Sequence, residues 1–339
     1  MAVVNLLVVA YQYPTIGALW ADLTAAQAKY AIANISSGPG TAPAVSDYTA
    51  VIGPAQAAGV TVLGYVDTNF GAVAPATVAA NVALWRSLYG VTDIFLDRVS
   101  ASSGGIPYIQ GVVSSIRTAN PGKAIVFNHG VIPDPGYAPL ADVLVVFEDV
   151  ESNWAAFTPP AWFKQYAPSK FAVLTYSASG SSLMATVVGQ AQAFGIGNIY
   201  VTDGDASWSA TPTYWAAEAA LTGVTTLTPT RFARNGAGLD VSALLAAPAH
   251  VTLQFANSGQ EILLVAAGAS AETVTVGIGT TVLGQPVASF PAVTLTSGHM
   301  AAFGPFDTPV DQPGGTSVQV TLSTTTAITA GLIRQAGAY

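Results

Sequence analysis

The chain contains 339 residues, of which 51% are hydrophobic and 8% are charged, and it carries a net charge of −8 without a cysteine. This balance, with no run of Lys or Arg, argues against nucleic acid or an anionic membrane surface as a partner, and the lack of cysteine excludes disulfides, zinc–thiolate sites and cysteine nucleophiles. No apolar run approaches the roughly 18 residues that a membrane-spanning helix needs, so we expect a soluble protein.

The first apolar run, VVNLLVVA, has no basic residue before it and no small-residue cleavage site after it. This pattern favours a first β-strand over a secretion signal. Seven more β-branched apolar runs follow before residue 222. Because the runs lack polar alternation, they are typical of parallel strands that are covered on both faces. The eight predicted strands are 3–10, 30–35, 60–66, 93–97, 124–128, 142–148, 171–176 and 197–202.

Ala-rich segments at helical spacing separate these runs. We predict helices over 76–89, 105–118 and 181–194, with Pro75 near the start of the first. Eight strands with intervening helices in about 220 residues predict an α/β fold of the (β/α)8 TIM-barrel type. A doubly wound open sheet is the alternative topology for the same pattern.

The amino-acid composition changes after residue 223, where Thr, Val, Gly and Ser form short runs of period two such as VTLQFAN and ETVTVGI. These runs predict an antiparallel β-sandwich of about 100 residues. We therefore predict two domains, a barrel over 1–223 and a sandwich over 224–339, with 225–238 as the connection.

Asp97 and Glu148 both end very apolar runs, where a carboxylate is costly unless it is paired or used. In a barrel, the carboxyl ends of the strands converge on one face, which carries the active site. Two carboxylates on that face meet the minimum requirement for hydrolysis of a glycosidic bond. The alternative is structural: Asp97 is ion-paired or caps the next turn, and Glu148 is a solvated strand end.

The other polar residues at the strand ends are mainly aromatic rings, amides and carboxylates. This mixture suits a sugar, whose apolar faces stack while its hydroxyls take hydrogen bonds. The predicted substrate-binding residues are Tyr13, Asn34, Tyr65, Asp67, Arg98, Asn128, Tyr176 and Asp203. We predict neither a metal nor another cofactor, because His129 has no second His at ligand spacing and the phosphate-binding motif GxxxxGKS/T does not occur.

Several stretches, taken in order, resemble the spherulin-4 family, which is related to glycoside hydrolases that cut galactosamine-containing polysaccharides. They are YQYPT, IANISSGPG, VTVLGYVDTNFG, DIFLDRVS, FNHG, ADVLVVFED and NIYVTDGDASWSATPTYW, and together they span nearly all of 1–222. The resemblance implies a (β/α)8 barrel with a glycan groove. It places Asp97 and Glu148 on acidic positions of the family pattern, and it places Tyr13, Asn34, Tyr65, Asn128 and Asp203 on groove positions.

The chain also departs from that pattern. The family usually has Asp-Glu at the end of the fourth strand, where this chain has Asp97 followed by Arg98. A neighbouring Arg favours the ionised form of Asp97 and so a nucleophilic or electrostatic role, which leaves Glu148 as the acid. If the missing Glu is essential, however, the barrel keeps a sugar groove without the chemistry.

The second half resembles a β-sandwich module of virion proteins from phages that infect actinobacteria. The segments that carry this resemblance are TLTPTRFARNGAG, FANSGQEILLVAAGASAETVTV, FGPFDTP and VQVTLSTTTAITAGLIR, over roughly 225–336. It implies a location on the phage tail or capsid surface, contacts with other virion proteins through this domain, and a homo-oligomer.

Our leading hypothesis is a phage virion protein whose barrel engages host-surface polysaccharide. If the barrel retains glycoside-hydrolase activity, Glu148 is the general acid/base and Asp97 is the nucleophile or electrostatic stabiliser. The first alternative is a non-catalytic glycan-binding module on the same scaffold. The second is a purely structural virion protein, in which aromatic residues such as Tyr13, Tyr65 and Trp208 are buried in packing or at subunit contacts. The third is a secreted or cell-surface bacterial hydrolase.

Overall fold

The fold was analysed in a computed structural model, which describes residues 3–227, 229–232, 244–256, 258, 260–276, 281–282, 285–286, 291–305, 317–326 and 328–335. The chain divides after Ala219 into two compact units, whereas the sequence predicts the division after residue 223. Each unit is described by itself. Among the described residues, no helix combines the length and the apolar character that crossing a bilayer requires.

The first unit is a closed barrel of eight parallel strands, in which each strand pairs with the next and the last pairs with the first. The strands are β1 Asn5–Ala10, β2 Tyr30–Ala33, β3 Thr61–Asp67, β4 Asp93–Asp97, β5 Ile125–Asn128, β6 Val143–Val150, β7 Phe171–Tyr176 and β8 Asn198–Val201. All eight predicted strands are confirmed, and closure excludes the open sheet. Most residues of these strands are buried and the others are half-buried, because side chains on one face fill the barrel and those on the other face pack against the surrounding layer.

Six α-helices occur in the described residues 3–221. They are α1 Leu19–Ala25, α2 Ser46–Ala57, α3 Pro75–Tyr89, α4 Ile106–Ala119, α5 Ser181–Ala193 and α6 Trp215–Leu221. The predicted helices correspond to α3, α4 and α5 within one residue at each end. Pro75 occupies the first turn of α3, and Gly90 ends that helix in the left-handed conformation, as expected for these two residue types.

No α-helix follows β5 or β6 in this described part of the chain; short 3-10 turns take its place, one over Pro135–Tyr137 and three between residues 151 and 170. Aromatic side chains cover the barrel there instead. The Phe163 and Phe171 rings stack with their centroids 3.9 Å apart, and Trp154 stacks on Phe157 at 4.9 Å. Large flat rings thus supply the apolar cover that a helix would provide.

The second unit is an antiparallel β-sandwich, as predicted. Its strands are β9 Thr225–Thr226, β10 Thr230–Phe232, β11 Thr252–Ala256, β12 Glu261–Ala267, β13 Glu272–Val276, β14 Thr281–Val282, β15 Gln285–Pro286, β16 Val293–Leu295, β17 Met300–Phe303, β18 Ser317–Leu322 and β19 Ile328–Gln335. One sheet has the order β10-β19-β12-β17, the other the order β16-β13-β18-β11-β9, and β14 pairs with β15.

The two larger sheets of this unit share one core. Phe255, Val274 and Val320 from one sheet and Leu263 and Leu332 from the other belong to a single buried cluster, as face-to-face packing of two sheets requires. Parts of the predicted connection 225–238 and of the segment FGPFDTP lie outside the described residues.

Candidate functional site

Four side chains meet at the carboxyl ends of β3, β4, β5 and β6. Asp97 accepts hydrogen bonds from the Tyr65 hydroxyl at 2.7 Å and from the Asn128 amide nitrogen at 2.7 Å. The same amide nitrogen donates to Glu148 at 2.5 Å. The backbone N–H of Gly130 donates to the Asn128 carbonyl oxygen at 3.0 Å, which fixes the orientation of the amide. We refer to Tyr65, Asp97, Asn128 and Glu148 as the carboxylate cluster.

The shared amide nitrogen sets the spacing of the two acids. Because its contacts with Asp97 and Glu148 measure 2.7 Å and 2.5 Å, the two carboxylate oxygens lie at most about 5.2 Å apart, the sum of these distances. Acids about 5–5.5 Å apart are typical of glycosidases that retain the anomeric configuration, and inverting enzymes need about 6.5–9.5 Å. The spacing therefore favours the retaining arrangement.

A β-bulge in β6 determines the direction of Glu148. Val145 lies beside Asn128, whose side chain points into the barrel; strict alternation from Val145 would turn Phe147 inward and Glu148 toward the outer layer. Between Val145 and Phe147, however, the register shifts by one residue. Glu148 therefore reaches Asn128 inside the barrel, and Phe147 packs outside it with its ring centroid 5.1 Å from that of Trp154.

The environment of Glu148 suits a proton donor. Burial raises the pKa of Glu148, and the negative charge of Asp97 raises it further, whereas hydrogen bonds from Asn128 and Trp208 lower it; the net shift is upward. Asp97 differs, because two donors, Tyr65 and Asn128, point at its oxygens. One acid is thus biased toward holding a proton, and the other is arranged as an acceptor of hydrogen bonds.

Arg98 turns away from Asp97 and pairs with Asp67. Its Nε donates to one oxygen of Asp67 at 2.9 Å, and its Nη2 pairs with the other oxygen. The backbone of Arg98 has φ 50°, in the left-handed region, so the chain leaves the strand geometry directly after Asp97. The structural alternative for Asp97, an ion pair, is therefore not formed with Arg98, and Arg98 pairs with neither acid of the cluster.

Asp67 is held in its charged form by this pairing. Burial raises the pKa of Asp67, but the hydrogen bond and charge of Arg98 and the backbone N–H of Asn69 outweigh burial and lower it overall. The Asn69 N–H donates to Asp67 at 2.8 Å. The pair is therefore internally neutral at the rim of the barrel.

The predicted binding residue Asn34 reaches the site through Tyr11. A side-chain hydrogen bond joins Tyr11 to Asn34, and the Tyr11 ring packs edge-on against Tyr65 with the centroids 6.1 Å apart. Burial raises the pKa of Tyr11, and the negative charges of Asp97 and Glu148 add to that shift. Tyr11 therefore stays protonated and can donate or accept a hydrogen bond beside the cluster.

Three other predicted binding residues lie outside the carboxylate cluster. Tyr13 is 38% exposed, and its hydroxyl donates to Asp47 at 2.8 Å. The Tyr176 ring packs edge-on against Trp208, with the centroids 5.7 Å apart. Asp203 accepts hydrogen bonds from the backbone N–H and the hydroxyl of Thr213, so its carboxylate organises the loop before α6.

Trp208 and Tyr11 belong to the candidate site, although neither is among the predicted site residues. Trp208 is buried, donates to Glu148, and has φ 54° in the left-handed region. Its signals in the sequence are a large aromatic residue among small ones after the last barrel strand and a place in the segment NIYVTDGDASWSATPTYW. Of the three aromatics that a purely structural barrel would bury in packing or at subunit contacts, Trp208 is buried within the chain, Tyr65 is half-buried and Tyr13 is exposed.

A metal centre has no support among the described residues, since they include no group of three His, Asp or Glu side chains with a suitable arrangement. His129 is buried, and its Nδ1 faces the carbonyl oxygens of Val99 at 3.2 Å and Ser100 at 3.1 Å. Burial lowers the pKa of His129 to about 4, against which these two hydrogen bonds act. His129 is therefore a neutral residue that anchors the segment after β4.

Comparison with known proteins extends the structural picture. A model of the spherulation-specific family 4 matches residues 5–222. Spherulin-4 of Physarum polycephalum is 36% identical over 216 residues, which cover 60% of this chain and 64% of that protein. The crystal structure of Aspergillus clavatus Sph3 in complex with GalNAc aligns with a TM-score of 0.57 and 21% identity, covering 64% of this chain and 96% of that one. The Sph3 likeness shows the fold of the barrel.

Proposed function

The chain belongs to the spherulation-specific family 4, and from this membership and the geometry of the carboxylate cluster we propose that its barrel binds and hydrolyses a glycan that contains galactosamine or N-acetylgalactosamine. The observation that carries the proposal is the pair Asp97 and Glu148, whose oxygens share the Asn128 amide nitrogen. The choice of sugar is supported by the resemblance of the barrel to Sph3, which was solved with GalNAc.

In the proposed first step, Glu148 donates its proton to the glycosidic oxygen while the bond between that oxygen and the anomeric carbon breaks. Asp97 attacks the anomeric carbon from the opposite face and forms a covalent glycosyl ester. In the second step, Glu148 removes a proton from water, the water attacks the anomeric carbon, and Asp97 is released. The raised pKa of Glu148 supports its role as acid, and the spacing of the two carboxylates supports the retaining outcome.

Tyr65 and Asn128 position these groups in the proposed mechanism. Each donates one hydrogen bond to Asp97, so the nucleophile is held on two sides. Tyr65 keeps its proton, because burial and the charge of Asp97 raise its pKa. In this mechanism the sugar is bound around the cluster by Tyr11, Asn34 and Asp67.

The test compares purified wild-type protein with Glu148→Gln and Asp97→Asn on polymers of N-acetylgalactosamine, partly deacetylated polymers and actinobacterial cell-wall glycans. Asp149→Asn is the matched control, because Asp149 adjoins Glu148 and bonds to Asn153 at 2.8 Å on the rim. Wild type and the control should release fragments, and each cluster variant should be slower by about 10²–10⁴-fold or more.

A non-catalytic glycan-binding module is the second candidate, and the departure at Arg98 from the family pattern favours it. Equal binding by wild type and both cluster variants, with no fragment release by any of them, would overturn hydrolysis and leave this candidate. The ion pair between Arg98 and Asp67 supports hydrolysis instead, because it keeps Arg98 away from both acids of the cluster.

The virion role rests on the resemblance of the C-terminal segments. We propose on that basis alone that the β-sandwich attaches the barrel to other virion proteins as a homo-oligomer on the tail or capsid surface, where the barrel meets host polysaccharide. Mass spectrometry of purified phage particles that encode this chain tests the location: its peptides should be present at a stoichiometry that fits a structural protein.

A further inference from the structure

Phe70 is an aromatic residue in an unusual setting. It lies on the short turn Asn69–Gly71 after β3, its side chain is 61% exposed, and its backbone has φ 56° and ψ 26°. A bulky residue rarely adopts the left-handed conformation, and large apolar side chains are usually buried. Packing explains neither its exposure nor its backbone.

The turn that carries Phe70 is fixed to the segment that carries Asp97. The Phe70 N–H donates to the carbonyl oxygen of Arg98 at 2.6 Å. The Thr68 hydroxyl contacts the carbonyl oxygens of Asp97 at 2.9 Å and Arg98 at 2.8 Å. Because these bonds continue the pairing of β3 with β4, the backbone of Phe70 is held against the segment that follows Asp97.

Backbone strain concentrates on the same face of the barrel. Among the residues that the structure describes, seven non-glycine residues have a positive φ, and six of them lie on loops that follow barrel strands. Those six are Ser37, Asn69, Phe70, Arg98, Ser177 and Trp208. Strained residues persist where the surrounding structure holds them and cluster at functional sites. The strain at Phe70 and Arg98 thus belongs to the face that carries Asp97 and Glu148.

Arg98, whose carbonyl oxygen accepts the Phe70 N–H, adds hydrogen-bond donors on the neighbouring loop. Its Nε and Nη2 engage Asp67, its side chain is 46% exposed, and a guanidinium group has five N–H donors in total. Because Asp67 is charged, the pair is neutral overall. Arg98 can therefore donate to the oxygen of a neutral group without attracting anions in general.

We propose that Phe70 and Arg98 form a second sugar-binding subsite next to the carboxylate cluster. The Phe70 ring stacks on the apolar face of an uncharged sugar, and Arg98, held by Asp67, donates to a hydroxyl or acetamido oxygen of the same sugar. A sugar ring combines apolar faces with polar hydroxyl edges, so the same sugar can stack on Phe70 and accept a hydrogen bond from Arg98. This inference rests on the proposed function, since the subsite binds a neighbouring unit of the glycan whose bond the cluster cleaves.

The test uses Glu148→Gln protein, which is expected to bind without turnover, and calorimetric titration with N-acetylgalactosamine oligosaccharides of increasing length. Affinity should rise with length in this parent. Adding Phe70→Asn, which removes the ring but tolerates a left-handed backbone, should weaken binding of the longer oligosaccharides by about tenfold and leave the shortest ligand unchanged. Arg98→Gln should act in the same direction.

Ile16→Ala is the matched control, because Ile16 is another exposed apolar residue, 76% exposed, on the loop after β1. The melting temperatures of the parent and of the Phe70→Asn variant should agree, or the variant should be higher. Equal affinity of parent and variant at every length would overturn the subsite, while fragment release by wild type would still uphold hydrolysis. If the parent binds no oligosaccharide, the subsite proposal fails, and fragment release by wild type decides hydrolysis separately.

Discussion

Arg98 forms its ion pair with Asp67, which lies directly across from Asp97 in the register of β3 and β4. The acid and the base that adjoin in the chain therefore have different partners. Asp97 takes its hydrogen bonds from Tyr65 and Asn128, and Arg98 is neutralised at the rim. This separation explains how the chain can carry Arg after Asp97 without an ion pair between Arg98 and either acid of the cluster.

The Asp67–Arg98 ion pair should make the stability of the fold depend slightly on pH in the acidic range. The pKa of Asp67 lies below its ordinary value of 3.8 in the folded state, so the stabilisation is present above about pH 4 and is lost as pH falls through the folded value. Because Arg98 is nearly half exposed, the loss in Asp67→Asn should not exceed about 1 kcal/mol at neutral pH. Melting temperatures of wild type and variant should converge below pH 4; a gap that persists there would contradict the assignment.

The pH dependence of hydrolysis should report on Glu148. An acid catalyst with a raised pKa loses its proton as pH rises, so kcat/KM should fall on the alkaline side. The hydrogen bonds from Asn128 and Trp208 lower that pKa, and removing either should move the alkaline limb to higher pH. We expect this shift in Asn128→Ala and Trp208→Phe, with rates reduced by about 10–100-fold in the former. If the alkaline limb of kcat/KM stays at the same pH in both variants, it reports the titration of a group other than Glu148.

Glu218 should make the barrel less stable as pH rises. It is fully buried on α6, accepts the Val201 N–H at 2.7 Å, and burial raises its pKa from 4.5 to about 8. The folded state therefore keeps a proton that the unfolded chain releases, and stability is lost between about pH 4.5 and 8, by about 5 kcal/mol at most. Glu218→Gln should match wild type near pH 4 and melt higher above pH 7. A difference that is constant with pH would contradict this role.

Gly64 should resist substitution more than a glycine on a helix surface. A Cβ at Gly64 would lie 2.6 Å from ring carbons of Trp85, whose indole donates to the Tyr65 carbonyl at 2.8 Å. Gly64→Ala should therefore lower the free energy of unfolding by about 1–3 kcal/mol. Gly111→Ala is the control on α4, where nothing lies within 4 Å, and it should stabilise by about 1 kcal/mol. Chemical denaturation of both variants provides the measurement, and equal effects would be inconsistent with the packing.

The barrel could be predicted from the sequence because its strands are continuous apolar runs that are buried on both faces. The helices α1 and α6 escaped prediction because each has only seven residues, and α2 contains Pro54, which weakens a helical pattern. In the described residues after β6, stacked aromatic rings cover the barrel where a helix would otherwise lie, and a helical spacing of apolar residues does not predict such stacking.

Some features of the candidate site could likewise be predicted from the sequence, and others could not. Asp97, Glu148, Asn128 and Tyr65 could be found from the sequence, because the ends of barrel strands converge. The direction of Glu148 could not, since it depends on a one-residue bulge that strict alternation would miss. The partner of Arg98 could not either, since a left-handed backbone turns its side chain toward the neighbouring strand.

The hydrogen bond from Trp208 to Glu148 makes one of the six tryptophans of the chain an optical probe of the acid. An indole bonded to a carboxylate should emit differently when that carboxylate gains a proton. The difference in fluorescence between wild type and Trp208→Phe, followed across pH without any substrate, would therefore trace the titration of Glu148 in the resting protein. A ligand that enters the barrel and displaces this contact should change the same signal.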